Sequence, residues 1–597
     1  MRGELMLIFD IETDGLLEQV TKIHTMTIYD TDTDRYDTYD LQSVYEGVKR
    51  LSEAKVICGH NIIFFDVPVL KKLYPHLKFD AKRIDTLVWA RLAYPDIRDI
   101  DFKYYRKWQM PGNLIGRHSL EAWGYRVGEY KGEFCKTTDW QEWSKEMSDY
   151  CRQDVVVTVK LYNTLRKKEI PKEALQLEHE VAEIISLQIQ HGFLFDIEKA
   201  EKLYQKLLGR KEELIQQLQE MFPPWYVELK PFIPKRNNKK KGYIAGVPVK
   251  RKKLVEFNPS SRQHIAYQLK KKYGWEPKEF TEKGTPKIDD EVIGSLPYEE
   301  APLLAEYLMI EKRLGQLAEG DKAWLKLVGK DNRIHGDVIT CGAVTGRMTH
   351  KDPNVAQVPA VGVPYGYECR ELFCVRPGYK LVGADASGLE LRCLAHYMAR
   401  YDGGAYGKQV VEGDIHTVNQ QAAGLPTRQD AKRFIYAFLY GAGDEKIGAI
   451  TGGGKKEGNQ LRKKFLKRIP ALKSLINDVQ KVSKERGYLK GLDGRHLKVR
   501  AIYSALNTLL QSAGAIVMKK ALVILYNDLT AKGYQHGKEY AFCANIHDEF
   551  EIEVREDLAE EVGQMAVNAI RKAGDYFGFR CPLDGEYKVG NNWAETH

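Results

Sequence analysis

Paired cysteines, long apolar runs and internal repetition are all scarce in this chain of 597 residues. Its nine cysteines include no CxxC pair, which argues against a zinc site and a disulfide framework and suits a reducing cytosol. The most apolar late stretch, AGAIVMKKALVILY, is broken by Lys519 and Lys520 well short of the ~20 apolar residues a bilayer span needs, so no membrane role is expected. The start, MRGELMLIFDIETDGL, meets Asp10, Glu12 and Asp14 too soon for a secretory core and reads as a first strand. No repeat or low-complexity tract interrupts the rest. Acidic residues are missing from Lys235 to Lys253, a run with nine Lys or Arg. The net charge of the whole chain is +9, so the remainder is close to neutral. Such a patch favours a polyanionic partner, although a charge run taken alone is as often a solvated loop.

What is present is enough chain for several cores, roughly four at about 150 residues each. Residues 1–165 alternate short β-branched or aromatic runs (LMLIFDI, HTMTIYD, KVICGH) with helical patterns, which predicts an α/β domain with a mixed sheet. From 166 to 222 the apolar period is helical. The segment 223–257 is rich in Pro, Gly and Lys and reads as a long connection, after which Asn258 or Ser260 caps a further helix. Beyond about 340, helices mix with hairpin-like strands.

Asp10 and Glu12 stand two apart in a strand, so both carboxylates project to one side. Asp66 follows the strand KVIC and a loop, and Tyr150 and Asp154, four apart, share a helix face. Singly, each acid is ordinary. Together, four carboxylates and a tyrosine suit two Mg²⁺ or Mn²⁺ about 3.5–4 Å apart, with Tyr150 orienting an attacking water. This ordered set resembles the DEDD exonuclease superfamily in its DEDDy form, the proofreading domain of family A DNA polymerases, and RIDTLVWARL and HSLEAWGYRVGEYKGEF extend the likeness.

A second constellation lies downstream. GYKLVGADASGLELR reads as a buried strand delivering Asp385 to its end, and YAFCANIHDEFEIEV as a hairpin whose turn presents His547, Asp548 and Glu549. Two strand-end aspartates make a site for two divalent ions, to which the Ala386 carbonyl adds an oxygen. Between them, Arg428, Lys432, Tyr436 and Tyr440 recur every four residues and form one helical stripe, cations then aromatics. That suits a triphosphate and a base, but an amphipathic helix with buried tyrosines would account for it about as well.

TGRMTHKDPNVAQVP, DASGLELR, R-x3-K-x3-Y-x3-YG and HDE, in this order, resemble the motifs of family A DNA polymerases, closest to the replicative enzymes of short-tailed phages of the T-seven type. The resemblance implies a RNase H-like exonuclease domain (1–165) followed by a right hand. Its parts are a helical thumb (166–340) with the basic loop 223–257, a palm (341–410 and 486–597) and fingers (411–485). It implies template-directed DNA synthesis with 3′→5′ proofreading, two Mg²⁺ in each site with Mn²⁺ able to substitute. The substrates are primer-template DNA and dNTPs. By the same likeness Arg428, Lys432 and His416 hold the triphosphate, Tyr436 lies over sugar and base, and Glu390 excludes a ribose 2′-OH. Tyr440 stacks near the template base, while Arg347, Asn507 and Gln511 meet the primer-template minor groove, where N3/O2 acceptors report pair geometry and not sequence, and His547 also binds DNA. A phage helicase-primase and single-strand-binding protein are implied partners. The chain departs from the pattern between Phe222 and Phe257, where a short basic segment replaces a longer thioredoxin-clamping insertion, so thioredoxin dependence is not expected; nor is an N-terminal 5′-nuclease domain. The runner-up, a single-subunit RNA polymerase, has no reason to carry the Asp10/Glu12/Asp66/Asp154 set.

Overall fold

The computed structural model describes residues 6–130, 139–281 and 283–597. The chain forms two compact units, the first comprising the chain up to Phe193 with His335–Val358 and Cys374–His597, the second Leu194–Ile334 with Pro359–Phe373.

The first unit contains two sheets. One joins β1 (Met6–Thr13), β2 (Ile23–Asp30), β3 (Arg35–Asp40), β4 (Val56–Gly59) and β5 (Lys82–Asp85) in the order β3-β2-β1-β4-β5. β1 runs antiparallel to β2 and parallel to β4, so the sheet is mixed, as the alternation of apolar runs predicts. Along β1 only Asp10 and Glu12 escape full burial, because period-two geometry turns both to the same face while Leu7, Phe9 and Ile11 fill the core. The helix Lys145–Leu165 packs on β1 and β2 and brings Tyr150 and Asp154 with it.

The second sheet comprises β6 (Tyr379–Ala386), β7 (Tyr540–Ile546), β8 (Glu549–Arg555) and β9 (Gly585–Gly590), all antiparallel, in the order β7-β8-β6-β9. The helix Ala559–Tyr576 covers this sheet, and on it packs the helix Ala505–Ala531, whose neighbourhood Ile502–Ala531 is apolar and long enough to cross a bilayer, with 78% of its most apolar window buried inside the protein. Its apolarity therefore serves a core. Lys519, read from sequence as an interruption, is 2% exposed and donates to Glu178 Oε1 at 2.6 Å. Helices Ile415–Ala423, Arg428–Leu439, Asp444–Ala449, Lys455–Arg468 and Pro470–Arg486 occupy most of 411–485.

In the second unit the helices Ile197–Met221, Arg262–Tyr273 and Ala301–Leu314 are joined by a segment that differs from its sequence reading. Residues 223–257 are not simply a loop: Trp225–Phe232 and Val249–Val255 pair antiparallel, with Trp225 opposite Val255 and Glu228 opposite Lys252. Trp225 is buried and stacks on Tyr267 at 5.2 Å, anchoring the hairpin base, while Tyr226 to Phe232 stay exposed. Trp225, Val227 and Leu229 at alternate positions favour strand despite the surrounding lysines. The next helix is capped by Ser261, which accepts from His264 N, and neither Asn258 nor Ser260 is the cap; Asn258 instead turns the chain by accepting from Ser260 N.

Candidate active sites

β6 and β8 bring the second pair of aspartates together. Asp385 sits one residue before the end of β6, opposite Glu549 of β8 on one side and Glu586 of β9 on the other. Asp548 lies in the two-residue turn between β7 and β8, where His547 takes φ 56°, and Ala386 N donates to Asp548 O at 2.9 Å. That backbone bond ties the two strand ends at the level of the acids. Crowding has a visible electrostatic cost. Burial first, then Glu549 and Asp548, push Asp385 up to about 7; burial and then Glu390 push Asp548 up to about 6. Acids that resist ionisation together, with hard oxygen donors, are what a divalent cation relieves, so the residues fit the metals the sequence implies.

Glu549 differs from its neighbours. It is buried, and although burial opposes its charge, hydrogen bonds led by His597 hold it below the usual carboxylate range. Its Oε1 accepts from Trp593 Nε1 at 2.7 Å and lies 2.9 Å from His597 Nε2. Glu551, fully buried, accepts from the Thr596 hydroxyl and is pushed well up by burial and by Glu549. The last five residues thus brace β8 from behind. None of Trp593, Thr596 and His597 has a local pattern that sequence reading could have used.

The helix Arg428–Leu439 begins at Arg428 with Thr427 as its cap and ends one residue before Tyr440, so the stripe of four is three helical residues and a C-cap. Arg428 Nε donates to Asp414 Oδ2 at 2.8 Å. Burial, then Arg428 and Lys432, lower the pKa of His416, which places its ring in one neighbourhood with those two cations; the ring lies 6.3 Å from that of Tyr436. The Tyr440 hydroxyl donates to Glu390 Oε1 at 2.8 Å, and Arg347 NH2 lies 4.0 Å from the same oxygen. Asn507 Nδ2 reaches Tyr440 O at 3.4 Å, and Gln511 follows one turn later on the same helix. Arg347, His547 and Glu549 line one small cavity with Lys519.

The first acid set also converges. Asp66 opens the helix Asp66–Leu73 and is 3% exposed, with Oδ1 lacking a hydrogen-bond donor among the described residues. Burial, then Asp85, push it up to about 8, with Asp154 a further contributor, and the backbone of Ile11, between Asp10 and Glu12, meets its carboxyl. Ligand atoms of Asp10 and Glu12 lie within 4.8 Å of each other and of Cys151, which is on the helix of Tyr150 and Asp154. Tyr150 is buried, edge-on to Trp140. Asp85 is the residue sequence reading missed: fully buried, it accepts from Asn61 N, Ile63 N and Leu87 N at 2.9–3.0 Å and so fixes the loop leading to Asp66. An Asp directly before a helical pattern, as in RIDTLVW, was the available signal.

Acids gathered on an RNase H-like sheet suit phosphodiester hydrolysis, and a second pair beside clustered cations suits nucleotidyl transfer; together they define a metal-dependent nucleic-acid polymerase with its own nuclease. Sequence comparison agrees. The profile of DNA polymerase family A matches residues 241–595, and that of the RNase H superfamily residues 7–166. The chain is 40% identical to the DNA-directed DNA polymerase of Enterobacteria phage T3 and 41% identical to that of Escherichia phage T7, in each case over 99% of this chain and 100% of the relative. The alignments, 705 and 706 positions long, exceed this chain, so both relatives carry residues it lacks. Among solved structures, the POL domain of Pol1 from M. smegmatis in complex with DNA primer-template and dNTP superposes with a TM-score of 0.74 at 16% identity, over 100% of this chain and 96% of that one. The chain belongs to DNA polymerase family A. It is a phage-type DNA-directed DNA polymerase with an RNase H-like exonuclease domain, acting on primer-template DNA and dNTPs and dependent on divalent metal.

Proposed function

We propose that Asp385 and Asp548 are the metal ligands of DNA synthesis, with the Ala386 carbonyl, and that Asp10, Glu12, Asp66 and Asp154 are those of 3′→5′ hydrolysis. The observation that supports the assignment is the Ala386 N to Asp548 O bond, which joins the two chain segments that carry these desolvated acids. Two Mg²⁺ in each site, with Mn²⁺ as a substitute, would supply Lewis acidity that activates the attacking oxygen and offsets charge on the leaving one. The protein does the rest. Arg428, Lys432 and His416 hold the triphosphate; Tyr436 lies over sugar and base; Glu390, fixed by Tyr440, blocks a 2′-OH. Tyr440 also faces the template base. Arg347, Asn507 and Gln511 read minor-groove acceptors, and His547 binds DNA beside them. Glu549, bonded to Trp593 and His597, keeps the Asp548 turn in place and takes part in synthesis through it. Tyr150 orients the hydrolytic water.

In this reading residues 1–165 are the exonuclease, 166–340 the thumb, 341–410 and 486–597 the palm and 411–485 the fingers. The enzyme works in the host bacterial cytoplasm with a phage helicase-primase and single-strand-binding protein, and without a thioredoxin clamp. Single-nucleotide incorporation by Lys432→Ala and Arg428→Ala tests the triphosphate assignment. Loss of a charge-assisted contact of about 1.5–3 kcal/mol should weaken dNTP use by roughly ten- to a hundredfold and leave single-strand degradation unchanged. Equal losses in both activities would remove the assignment.

A further inference from the structure

The exonuclease acids open into a cleft of about 860 Å³, lined by Asp10 and Asp154 at one place and by Ile97, Arg98 and Arg117 at another. Ile97 and Arg98 begin a helix, Ile97–Tyr104, that the mechanism above does not use. From Arg98 to Trp108 the sequence RDIDFKYYRKW interleaves four cations with four aromatic rings. Phe102 is 55% exposed and Tyr104 37%. Three of the cations lie against rings: Arg98 Cζ is 5.5 Å from the centre of Phe102, Lys103 Nζ 5.3 Å from Tyr104, and Arg106 Cζ 5.7 Å from Tyr105. The rings of Tyr104 and Trp108 are 5.4 Å apart.

This face is rigidly mounted. Asp101, fully buried, accepts from Arg126 Nε and NH2 at 2.9 and 2.7 Å and from Gly116 N at 2.7 Å. An ion pair so desolvated anchors the helix, while Phe102 and Tyr104 remain exposed. At the cleft wall His118 is pushed down to about 3 by burial, then by Arg126 and Arg91, and is neutral at physiological pH.

We propose that the face Arg98–Trp108 is a binding platform for single-stranded DNA, extending the exonuclease cleft outward. Two observations select this occupant. The face is continuous with the cleft through Arg98, so a strand whose 3′ end lies at the acids can run onto it. Its exposed rings match unpaired bases, which stack on any aromatic face regardless of sequence, while Lys103, Arg106 and Lys107 meet the phosphates between them. Duplex DNA keeps its bases inside and gains nothing from Phe102 and Tyr104. An acidic peptide would use the cations but leave the rings unmatched.

The inference rests on the exonuclease assignment, and substrate length separates the two. Degradation of a trinucleotide, too short to leave the cleft, is compared with that of an oligonucleotide of about 20 residues in the unaltered chain and in Phe102→Ala/Tyr104→Ala. The platform predicts a KM for the long strand raised about tenfold or more, kcat unchanged, and no change for the trinucleotide or in primer extension. Unchanged KM for the long strand, or equal weakening for both lengths, overturns it. Weakened binding of a poly-glutamate peptide with no change on the long strand also overturns it, in favour of a protein partner. If the unaltered chain degraded neither substrate with divalent metal present, the exonuclease assignment would fall and the platform with it.

Discussion

The Tyr440 hydroxyl donates a 2.8 Å hydrogen bond to Glu390 Oε1, linking the end of the helix Arg428–Leu439 to the start of the helix Leu389–Asp402. Burial, then Glu390, push the Tyr440 phenol up to about 12, so it remains a donor throughout the working pH range. A carboxylate pinned in this way cannot swing aside for a bulkier sugar. Tyr440→Phe should therefore relax discrimination against ribonucleotides by about fivefold, the effect of one net hydrogen bond near 1 kcal/mol, and Glu390→Ala by more. Steady-state dNTP/rNTP ratios check this; an unchanged ratio in Glu390→Ala would show that the gate lies elsewhere.

Tyr436 is half-buried, its phenol pushed up by burial, then by Glu390 and Asp548, which places the hydroxyl near the acids of the synthetic site. Family members with Phe here reject chain-terminating dideoxynucleotides, as the resemblance implies, so this chain should accept them. In Tyr436→Phe the ddNTP/dNTP incorporation ratio should fall by about tenfold or more, on the scale of a hydrogen bond. A ratio that stays constant would rule out the hydroxyl as the determinant.

A buried charge network supports the loop that carries Arg347. Glu178 Oε1 accepts from Arg495 NH1 and Lys519 Nζ, both at 2.6 Å, and Lys519 also donates to Gly346 O at 2.7 Å. Lys519→Met removes one cation from a desolvated cluster and one bond from that loop. Stability should fall by about 3–5 kcal/mol, read as a lowered denaturation midpoint. A loss within about 0.5 kcal/mol, normal for surface sites, would contradict the account.

The basic hairpin offers a test by salt. Residues Lys235–Lys253 carry nine cations, and the strand Val249–Val255 is exposed over Lys250–Leu254. If about half of the nine meet phosphates, deleting the hairpin tip should flatten log K against log[salt] by roughly four units and shorten products made per binding event, with single-nucleotide addition near normal. An unchanged slope would make the hairpin a solvated ornament. A large rise in processivity on adding reduced thioredoxin would show that the short segment still recruits a clamp.

The parts legible in the sequence were those with short-range causes. Period-two spacing put Asp10 and Glu12 on one face, and a strand-turn-strand pattern put Asp548 in a turn, where the structure has them. What escaped depends on distant partners. Lys519 looks like a break in an apolar helix until Glu178, on another helix, comes within 2.6 Å. Tyr440 continues a helical stripe in sequence, but the helix stops at Leu439, and its hydroxyl finds a partner fifty residues earlier. Trp593 and His597 act on Glu549 from the chain end without any motif. Segment 223–257 shows the reverse: lysine-rich composition suggested a loop, yet β-branched and aromatic residues at pairing positions made a hairpin.

If two separate acid sites run the two chemistries, paired variants separate them. Primer extension and single-strand degradation are measured on folded Asp385→Ala, Asp548→Ala and Asp10→Ala/Glu12→Ala proteins. The account predicts that the first two lose extension by several orders of magnitude and retain degradation, while the double variant does the reverse. Loss of both activities from either kind of variant would contradict it.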